Sequence, residues 1–489
     1  PALFPSWQRT YAPKICASRY IPNDWNLAIG GASEYLNYIN APEAWAISQG
    51  DPSVVIVVTD NYLHYTHEDF YNASGGTKID YIGYNPGFSA PWDSSYSYHH
   101  GTAVSSMIAG ATDNSKGLPA VGFNCKLDFS SMFGYVDADM LQMSLKGRRI
   151  INCSWLDYSI PDLNLRNHFW EQEKYNELYE NGTLMCFAAS NGWFLSGDPN
   201  EYAFPASLDH VFSVTSIGWK NPRGVGSASN IEGVHDLRSK DDSATCNHND
   251  RVDICAPTFL GASKWIPWNP AVKYYDVASG TSSSSPIVAG TAGLIQSALK
   301  KVTKNPDANY SPYQLEWLLK VTANKDFLSF SENAAYKGKL GAGRLDAYEA
   351  VKTVVTGFTP NHPGTQTMYI KGIDINTVCA PGYSSNGVLP KLKPIIVNGV
   401  EPYTYVWEEV PSGINTAILD NENIAEPTIV GIKSGSSSKI LHYRLTVYDN
   451  SKFNSTDTTK YAQKVAMKTF KIELKTEGYE IKNFCKILQ

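Results

Sequence analysis

No stretch of the chain reaches about 18 uninterrupted apolar residues, so a membrane-spanning helix is not expected. Charge is scarce too: Asp, Glu, Lys and Arg make up only 18% of the 489 residues. The formal charge of −6 offers no basic face for a nucleic acid and mainly favours solubility. The eight cysteines (Cys16, Cys125, Cys153, Cys186, Cys246, Cys255, Cys379 and Cys485) include no CxxC pair and no zinc-ligand spacing. Their even number permits disulfides, with Cys246 and Cys255 the nearest pair in sequence, and equally permits buried free thiols. Pro1 to Trp7 lack the charged and apolar regions of a signal peptide, so a processed chain is the expectation. There is no internal repeat and no extended low-complexity tract. What is abundant is apolar and aromatic: 43% hydrophobic residues, with 30 Tyr and 12 Trp. That balance excludes a disordered chain and fits a large, aromatic-rich core.

Residues 1–357 alternate strand and helix patterns. Val54 to Val58 is a continuous β-branched run, as a strand buried on both faces needs. Further strands are expected at Lys126 to Ser130, Arg149 to Cys153, Thr183 to Ala189 and Val211 to Ser216. Helices are expected at Ala103 to Ala109, Ser284 to Leu299 and Pro312 to Val321, the last opened by a capping Ser311 and a first-position proline. The alternation argues for an α/β fold, a parallel sheet covered by helices. Composition changes at 358–366, which reads as a linker. Residues 367–476 carry short strand-like runs separated by Gly, Asn, Asp and Ser, the pattern of a small antiparallel β-sandwich. Residues 477–489 read as a C-terminal tail.

Three segments stand out chemically. Val57-Val58-Thr59-Asp60 is a buried strand ending in a carboxylate. His100-Gly101-Thr102 opens a helical run with a histidine. Gly280-Thr281-Ser282-Ser283-Ser284-Ser285-Pro286 places a serine ahead of a helix rich in small residues. Acyl transfer from an amide needs a nucleophile, a base to take its proton and an acid to orient that base. A parallel sheet can gather such residues at one rim. Singly, each has an ordinary reading: a turn carboxylate, an exposed helix-start histidine, a flexible serine loop.

Together with their surroundings, these segments resemble the subtilase family of serine peptidases. The resemblance spans roughly residues 35–352. It includes Ile39 to Trp45, His67 to Phe70, Met107 to Gly110, Ile151 to Ser154, Ala188 to Gly192, Phe204 to Ser207, Val252 to Pro257 and Gly341 to Ala347, all in family order. It implies a subtilisin-like three-layer domain over 1–357 with Asp60, His100 and Ser282 as catalytic triad and Asn191 as oxyanion donor. His99 is a rival base, but Gly101-Thr102 fixes the register on His100. It implies that Ser154, Trp155 and Leu156 lie beside a bound polypeptide, with Ser190 at the specificity pocket. No cofactor is required for the chemistry. A structural calcium ion is a further expectation, with Asp69, Asp113 and Asn114 as ligands.

The chain departs from the family at Asn61 and Tyr62 after the aspartate, where Tyr62 could crowd the turn. Leu156 and Ser190 replace frequent glycines, so a shallower specificity pocket is expected. The 367–476 unit resembles PKD-type, immunoglobulin-like modules of secreted proteins through Pro402 to Trp407 and Tyr443 to Asp449. Such modules space, anchor or bind, and the resemblance implies a surface or an assembly partner as one expectation. The expectation is therefore an extracellular or cell-surface endopeptidase, with no nucleic-acid partner and no membrane span. The rival is a catalytically inactive subtilase serving as a scaffold or adhesion component.

Overall fold

Burial on both faces shapes the first strand. Val54 to Val58 leads into β1 (Val55–Asp60), every residue of which is buried. Ile56 and Val58 point into one apolar cluster and Val57 into another, following the two-residue period of a strand. The other strands of this part are β2 (Ile79–Ile82), β3 (Lys126–Ser131), β4 (Ile150–Cys153), β5 (Tyr158–Ile160), β6 (Leu184–Ala188), β7 (Tyr202–Phe204), β8 (Phe212–Ile217), β9 (Ile254–Pro257), β10 (Leu260–Trp265) and β11 (Lys273–Ala278). Seven of them form one parallel sheet in the order β2-β3-β1-β4-β6-β8-β9. Two small antiparallel pairs, β5 with β7 and β10 with β11, stand beside it.

The computed structural model describes residues 18–29, 32–85, 100–161, 163, 168–192, 198–218, 246–258, 260–265, 273–329, 331–357, 369–376, 391–397, 399, 401–410, 417–432, 438–449, 465–477 and 480–488. The expected linker 358–366, with Cys16, His99 and Cys379, lies outside them. Among the described residues six helices run ten residues or more: α1 (His100–Ala109), α2 (Val136–Leu145), α3 (Phe169–Glu180), α4 (Thr281–Thr303), α5 (Pro312–Val321) and α6 (Ala347–Gly357). Val104 and Ile108 of α1 and Ile287, Leu294 and Ile295 of α4 cover one sheet face with Ile56 and Val58. Met140 and Met143 of α2 and Tyr175 and Leu178 of α3 cover the other with Val57, Ile151 and Phe187. The result is a three-layer α/β domain. The Ser311 cap on α5 forms a complete capping box with Gln314. No helix among the described residues is long and apolar enough to cross a membrane.

Cys125, Cys153, Cys186, Cys246 and Cys255 are buried thiols outside any disulfide. Cys246 and Cys255, the nearest pair in sequence, are therefore not joined, so of the two readings left open the buried thiols hold for this pair. They face different partners: Cys255 Sγ donates to the Leu340 carbonyl at 2.8 Å, and Cys246 Sγ points at Asn191 Oδ1 from 3.8 Å.

The rest of the chain is antiparallel. Its strands are β12 (Tyr369–Asn376), β13 (Lys391–Val397), β14 (Thr404–Glu409), β15 (Ala417–Leu419), β16 (Ile429–Ile432), β17 (Ser438–Tyr448), β18 (Val465–Glu477) and β19 (Glu480–Leu488). They make a four-stranded sheet, β14-β17-β18-β19, and two strand pairs. Ile370, Leu392, Trp407, Ile429, Leu445 and Val447 share one core. Trp407 is 1% exposed and its indole N–H donates to the Ile424 carbonyl at 3.0 Å, so it is a core residue. The stretch read as a tail instead contributes β19, whose backbone groups pair along the edge of β18.

This β unit docks on α3. The Arg444 guanidinium pairs with Glu173 and lies 3.8 Å from Glu180, with Arg444 and Glu180 side chains each 13% exposed. Thr469 donates to Glu180 through its backbone N–H at 2.9 Å and its hydroxyl at 2.7 Å. Removing the cation would strand two carboxylates in a largely dry contact. Arg444→Ala is expected to lower stability by about 2 kcal/mol, read as a lower urea midpoint, whereas exposed Lys393→Ala should change it by less than about 0.5 kcal/mol.

Candidate active site

The carboxyl ends of β1 and β4 and the amino ends of α1 and α4 meet at one rim of the sheet. Asp60, the last residue of β1, is 1% exposed. Its Oδ1 accepts the Asn61 backbone N–H at 2.8 Å. His100, the first residue of α1, places Nδ1 2.8 Å from Oδ1 and 3.0 Å from Oδ2 of the same carboxylate. A carboxylate only accepts, so Nδ1 carries the proton and Nε2 has its lone pair free. Burial pushes the His100 pKa down, but the charge of Asp60 and the hydrogen bond to it outweigh burial and leave it above the usual 6.5.

Gly101 is required by the close approach of helix to strand. A Cβ there would fall 2.5 Å from the Tyr62 carbonyl oxygen and 3.1 Å from Asp60 Cβ. Asn61 uses its side-chain oxygen to accept from Gly101 N at 3.0 Å and Tyr62 N at 2.6 Å. It thus ties the aspartate strand to the first turn of α1. This residue, one of the departures from the family pattern, leaves Asp60 and His100 in contact.

Ser282 lies in the first turn of α4. Its hydroxyl donates to the Ser154 carbonyl at 3.2 Å, and none of its hydrogen bonds among the described residues reaches His100. Contacts between nucleophile and base are often loose until substrate arrives. Pro286 has no N–H, so the Ser282 carbonyl lacks the donor that a helix normally supplies four residues on. The Ser154 hydroxyl donates to that carbonyl at 3.0 Å instead. The position after β4 thereby holds the serine turn in place.

Asn191 follows β6. Its Oδ1 accepts from Thr281 N at 2.9 Å and from the Thr281 hydroxyl at 3.2 Å. With its oxygen so engaged, the amide presents its NH₂ as a donor. Gly280 makes room for this: it has φ +86°, and a Cβ would lie 2.9 Å from Asn191 Oδ1. Ser190, 4% exposed, sits at φ +84°, a strain of roughly 1–3 kcal/mol for a non-glycine residue.

The expected substrate wall is only partly side chain. Trp155 is 7% exposed, donates its indole N–H to Thr59 Oγ1 at 2.9 Å and meets the Phe187 ring edge-on at 5.2 Å. It faces the core, so its backbone alone remains for a peptide. Leu156 is half-buried.

Residues 51–343 match the profile of the Subtilase family. The chain belongs to that family. The subtilase is 29% identical over 345 residues to the halolysin-like extracellular serine protease Nep of Natrialba magadii, covering 68% of this chain and 53% of Nep. It is 27% identical to halolysin of Haloferax mediterranei, covering 64% and 52%. It is 23% identical to thermitase of Thermoactinomyces vulgaris, covering 64% and 94%. The chain spans about half the length of the first two relatives. Among solved structures, the prenylagaramide maturation protease PagA aligns with TM-score 0.47 at 20% identity, covering 65% of this chain and 99% of that one.

The residues expected to hold a metal in the subtilase, Asp69, Asp113 and Asn114, have the following surroundings. No group of three His, Cys, Asp or Glu side chains that could hold an ion occurs among the described residues. The Asp113 carboxylate is taken by the Tyr20 hydroxyl at 2.5 Å and Asn23 N at 2.9 Å. Asn114 Oδ1 accepts from Lys116 N at 2.9 Å, and its amide donates to the Tyr71 carbonyl at 2.9 Å. Asp69 is different. It is 1% exposed, Oδ2 accepts from Ser263 Oγ at 2.6 Å, and Oδ1 has no hydrogen-bond partner. Asp24, 0% exposed, also has an unpartnered Oδ1, while its Oδ2 accepts from Asp113 N at 2.8 Å. Burial, with a smaller push from neighbouring carboxylates and against the hydrogen bonds each accepts, leaves Asp69 at about 8 and Asp24 at about 7. Nothing in its local sequence singled out Asp24.

The shifted imidazole has a kinetic signature. Should His100 serve as the general base, its ring must be neutral to act, and activity then appears as pH rises through its pKa. The acid limb of kcat/KM is expected to have its midpoint above 6.5. Asp60→Asn should lower kcat by about 10⁴-fold, through loss of the correct tautomer.

Proposed function

We propose that this subtilase is a serine endopeptidase working through an acyl-enzyme. Ser282 Oγ attacks the scissile carbonyl while His100 Nε2 takes its proton. Asp60 orients the ring and stabilises its cationic form. The Asn191 side-chain NH₂ and the Ser282 backbone N–H stabilise the oxyanion, aided by the amino end of α4. His100 then gives its proton to the leaving amine as the C–N bond breaks. A water, deprotonated by the same ring, hydrolyses the ester and returns the proton to Ser282. The observation that carries this reading is the 2.8 Å contact of His100 Nδ1 with buried Asp60, on the rim where Asn191 Oδ1 is tied to Thr281 next to Ser282. The relative Nep is described as an extracellular serine protease, which supports a secreted enzyme. Leu156 and Ser190 support a shallow specificity pocket. The C-terminal β unit fits a PKD- or immunoglobulin-like spacer that docks to a surface or assembly partner.

A fluorophosphonate probe tests the chemistry. The parent should label at Ser282, and Ser282→Ala should lose labelling together with about 10⁶ in kcat on a peptide substrate. A folded parent that neither labels nor cleaves would leave the scaffold reading in its place.

A structural divalent cation is a further reading, with Asp69 and Asp24, whose charges act on one another, as its carboxylates. That reading rests on two carboxylates, each fully buried with an oxygen lacking a partner. Such an ion would supply the charge that burial otherwise makes costly. The sign with pH is defined. Without calcium, groups raised from 3.8 to about 7 and about 8 favour the fold when neutral, and that stability is lost as pH rises through those values. Calcium, which needs the ionised forms, should reverse the trend. At 100 times its Kd it should add about 2.7 kcal/mol at pH 8. A thermal midpoint at pH 8 indifferent to calcium and to chelator would exclude the ion.

A further inference from the structure

We propose that Asn247 is a positioning residue for Asn191, fixing the direction in which that amide presents its donor. The inference rests on the reading of Asn191 as oxyanion donor and extends it to a residue remote in sequence. Asn247 lies just before β9 in the chain, is 1% exposed, and grips the chain on both sides of Asn191. Its backbone N–H donates to the Ser190 carbonyl at 2.9 Å. Its Oδ1 accepts from Gly192 N at 2.5 Å. The residues before and after Asn191 are therefore held by one buried side chain and its own backbone.

Asn247 is anchored in turn. Its Nδ2 donates to the Glu201 carbonyl at 2.9 Å, and its carbonyl accepts from the Thr215 hydroxyl of β8. Asn249 Nδ2 donates to the same Glu201 carbonyl at 2.9 Å. The neighbouring Cys246 Sγ points at Asn191 Oδ1 from 3.8 Å. An amide is the side chain suited to this place: it must accept from Gly192 and donate to Glu201 at once, without charge. Asp lacks the donor, and an apolar residue lacks both.

The segment needs such a hold because Ser190 sits at φ +84°, where a residue with a side chain relaxes away unless its neighbours are fixed. A tilt of the 190–192 segment would take Asn191 Oδ1 off Thr281 and misdirect the NH₂. A misplaced donor loses stabilisation made mainly in the transition state, so kcat falls and KM does not.

The experiment is a double-mutant cycle on the full chain, with a fluorogenic peptide and thermal melts. Asn247→Ala is expected to lower kcat by about 10- to 100-fold with KM within about twofold and an unmoved His100 acid limb. Asn191→Ala alone should cost roughly 10²–10³. In the Asn191→Ala background, Asn247→Ala should cost less than about threefold more, because the residue it positions is gone. Should Asn247→Ala fail to melt cooperatively, Asn247→Asp carries the test: it keeps the acceptor for Gly192, and its loss in kcat must likewise disappear in the Asn191→Ala background. A folded variant with kcat within about threefold of the parent, or losses that multiply in the cycle, would overturn the assignment. A parent that neither hydrolyses peptide nor takes the Ser282 probe would instead overturn the reading beneath it.

Discussion

The first turn of α4 is buried, and its polar groups must find partners inside the protein. Thr281, Ser283, Ser284 and Ser285 are each 0–1% exposed. An unpaired hydroxyl or amide at such a depth costs about 1–3 kcal/mol. Each of several hydroxyls answers a specific strand end. Ser284 Oγ donates to the Ala256 and Pro257 carbonyls at 3.0 Å, and Ser285 Oγ reaches Asn152 Oδ1 at 2.8 Å and the Cys186 carbonyl at 3.2 Å. The helix is thus stitched to β4, β6 and β9. The position of Ser282 follows from that stitching, and so does the place where Asn191 meets Thr281.

The same turn explains which features were legible. The long apolar runs could be read because a strand covered on both faces needs no alternation, and β1, β3, β6 and β8 lie within a residue or two of their expected bounds. Pro312–Val321 was readable through its cap and proline. The serine run was legible only in part: Ser284 and Ser285 were expected in the helix, but Ser282 taken singly reads as part of a flexible polar loop, and nothing local says that the hydroxyls will meet oxygens of three separate strands. Asn247 and Asp24 escaped for the same reason, and Asn61 was legible only as a departure from the family pattern, without its role. Each is an ordinary polar residue in its own segment and acquires a role only against a partner far along the chain. The helices α2 and α3 were missed because their buried positions mix polar with apolar side chains, Ser144 with Met140 and Met143 in the first and Gln172 and Asn176 with Tyr175, Leu178 and Tyr179 in the second, so neither shows a clean apolar period. Strand β19 was missed because its pairing partner, β18, supplies most of the reason for it to be extended.

Two polar departures from the family pattern are absorbed by geometry rather than by burial of more apolar area. Asn61 fills the turn after Asp60 and spends its oxygen on the backbone N–H groups of Gly101 and Tyr62. One of these, Gly101 N, is among the amino-terminal donors of α1 that a helix cannot satisfy internally. The substitution therefore caps the very helix that carries His100. Ser190 is the costlier case, since its positive φ is unfavourable for any side chain. Its strain is tolerated because the segment is held on both sides, and a rigid strained loop is one way in which a donor is preorganised before charge develops.

The antiparallel unit is bound into this architecture through α3. Glu173 and Glu180 of that helix meet Arg444 and Thr469 of the β unit. At its amino end the helix is preceded by His168, whose Nδ1 lies 2.9 Å from both the Tyr158 hydroxyl and Glu171 Oε2. Tyr158 stacks on Phe204 with ring centroids 4.9 Å apart, joining β5 to β7. β5 follows directly on Ser154, Trp155 and Leu156, and Ser154 is the residue that caps the Ser282 carbonyl. A continuous path of packed rings and hydrogen bonds thus runs from the docking face of α3 to the turn that carries Ser282. The links along that path are aromatic stacking and hydrogen bonds. The antiparallel unit therefore bears on a helix that forms part of the rim's own scaffold, and its attachment is structural to the domain that holds Asp60 and His100.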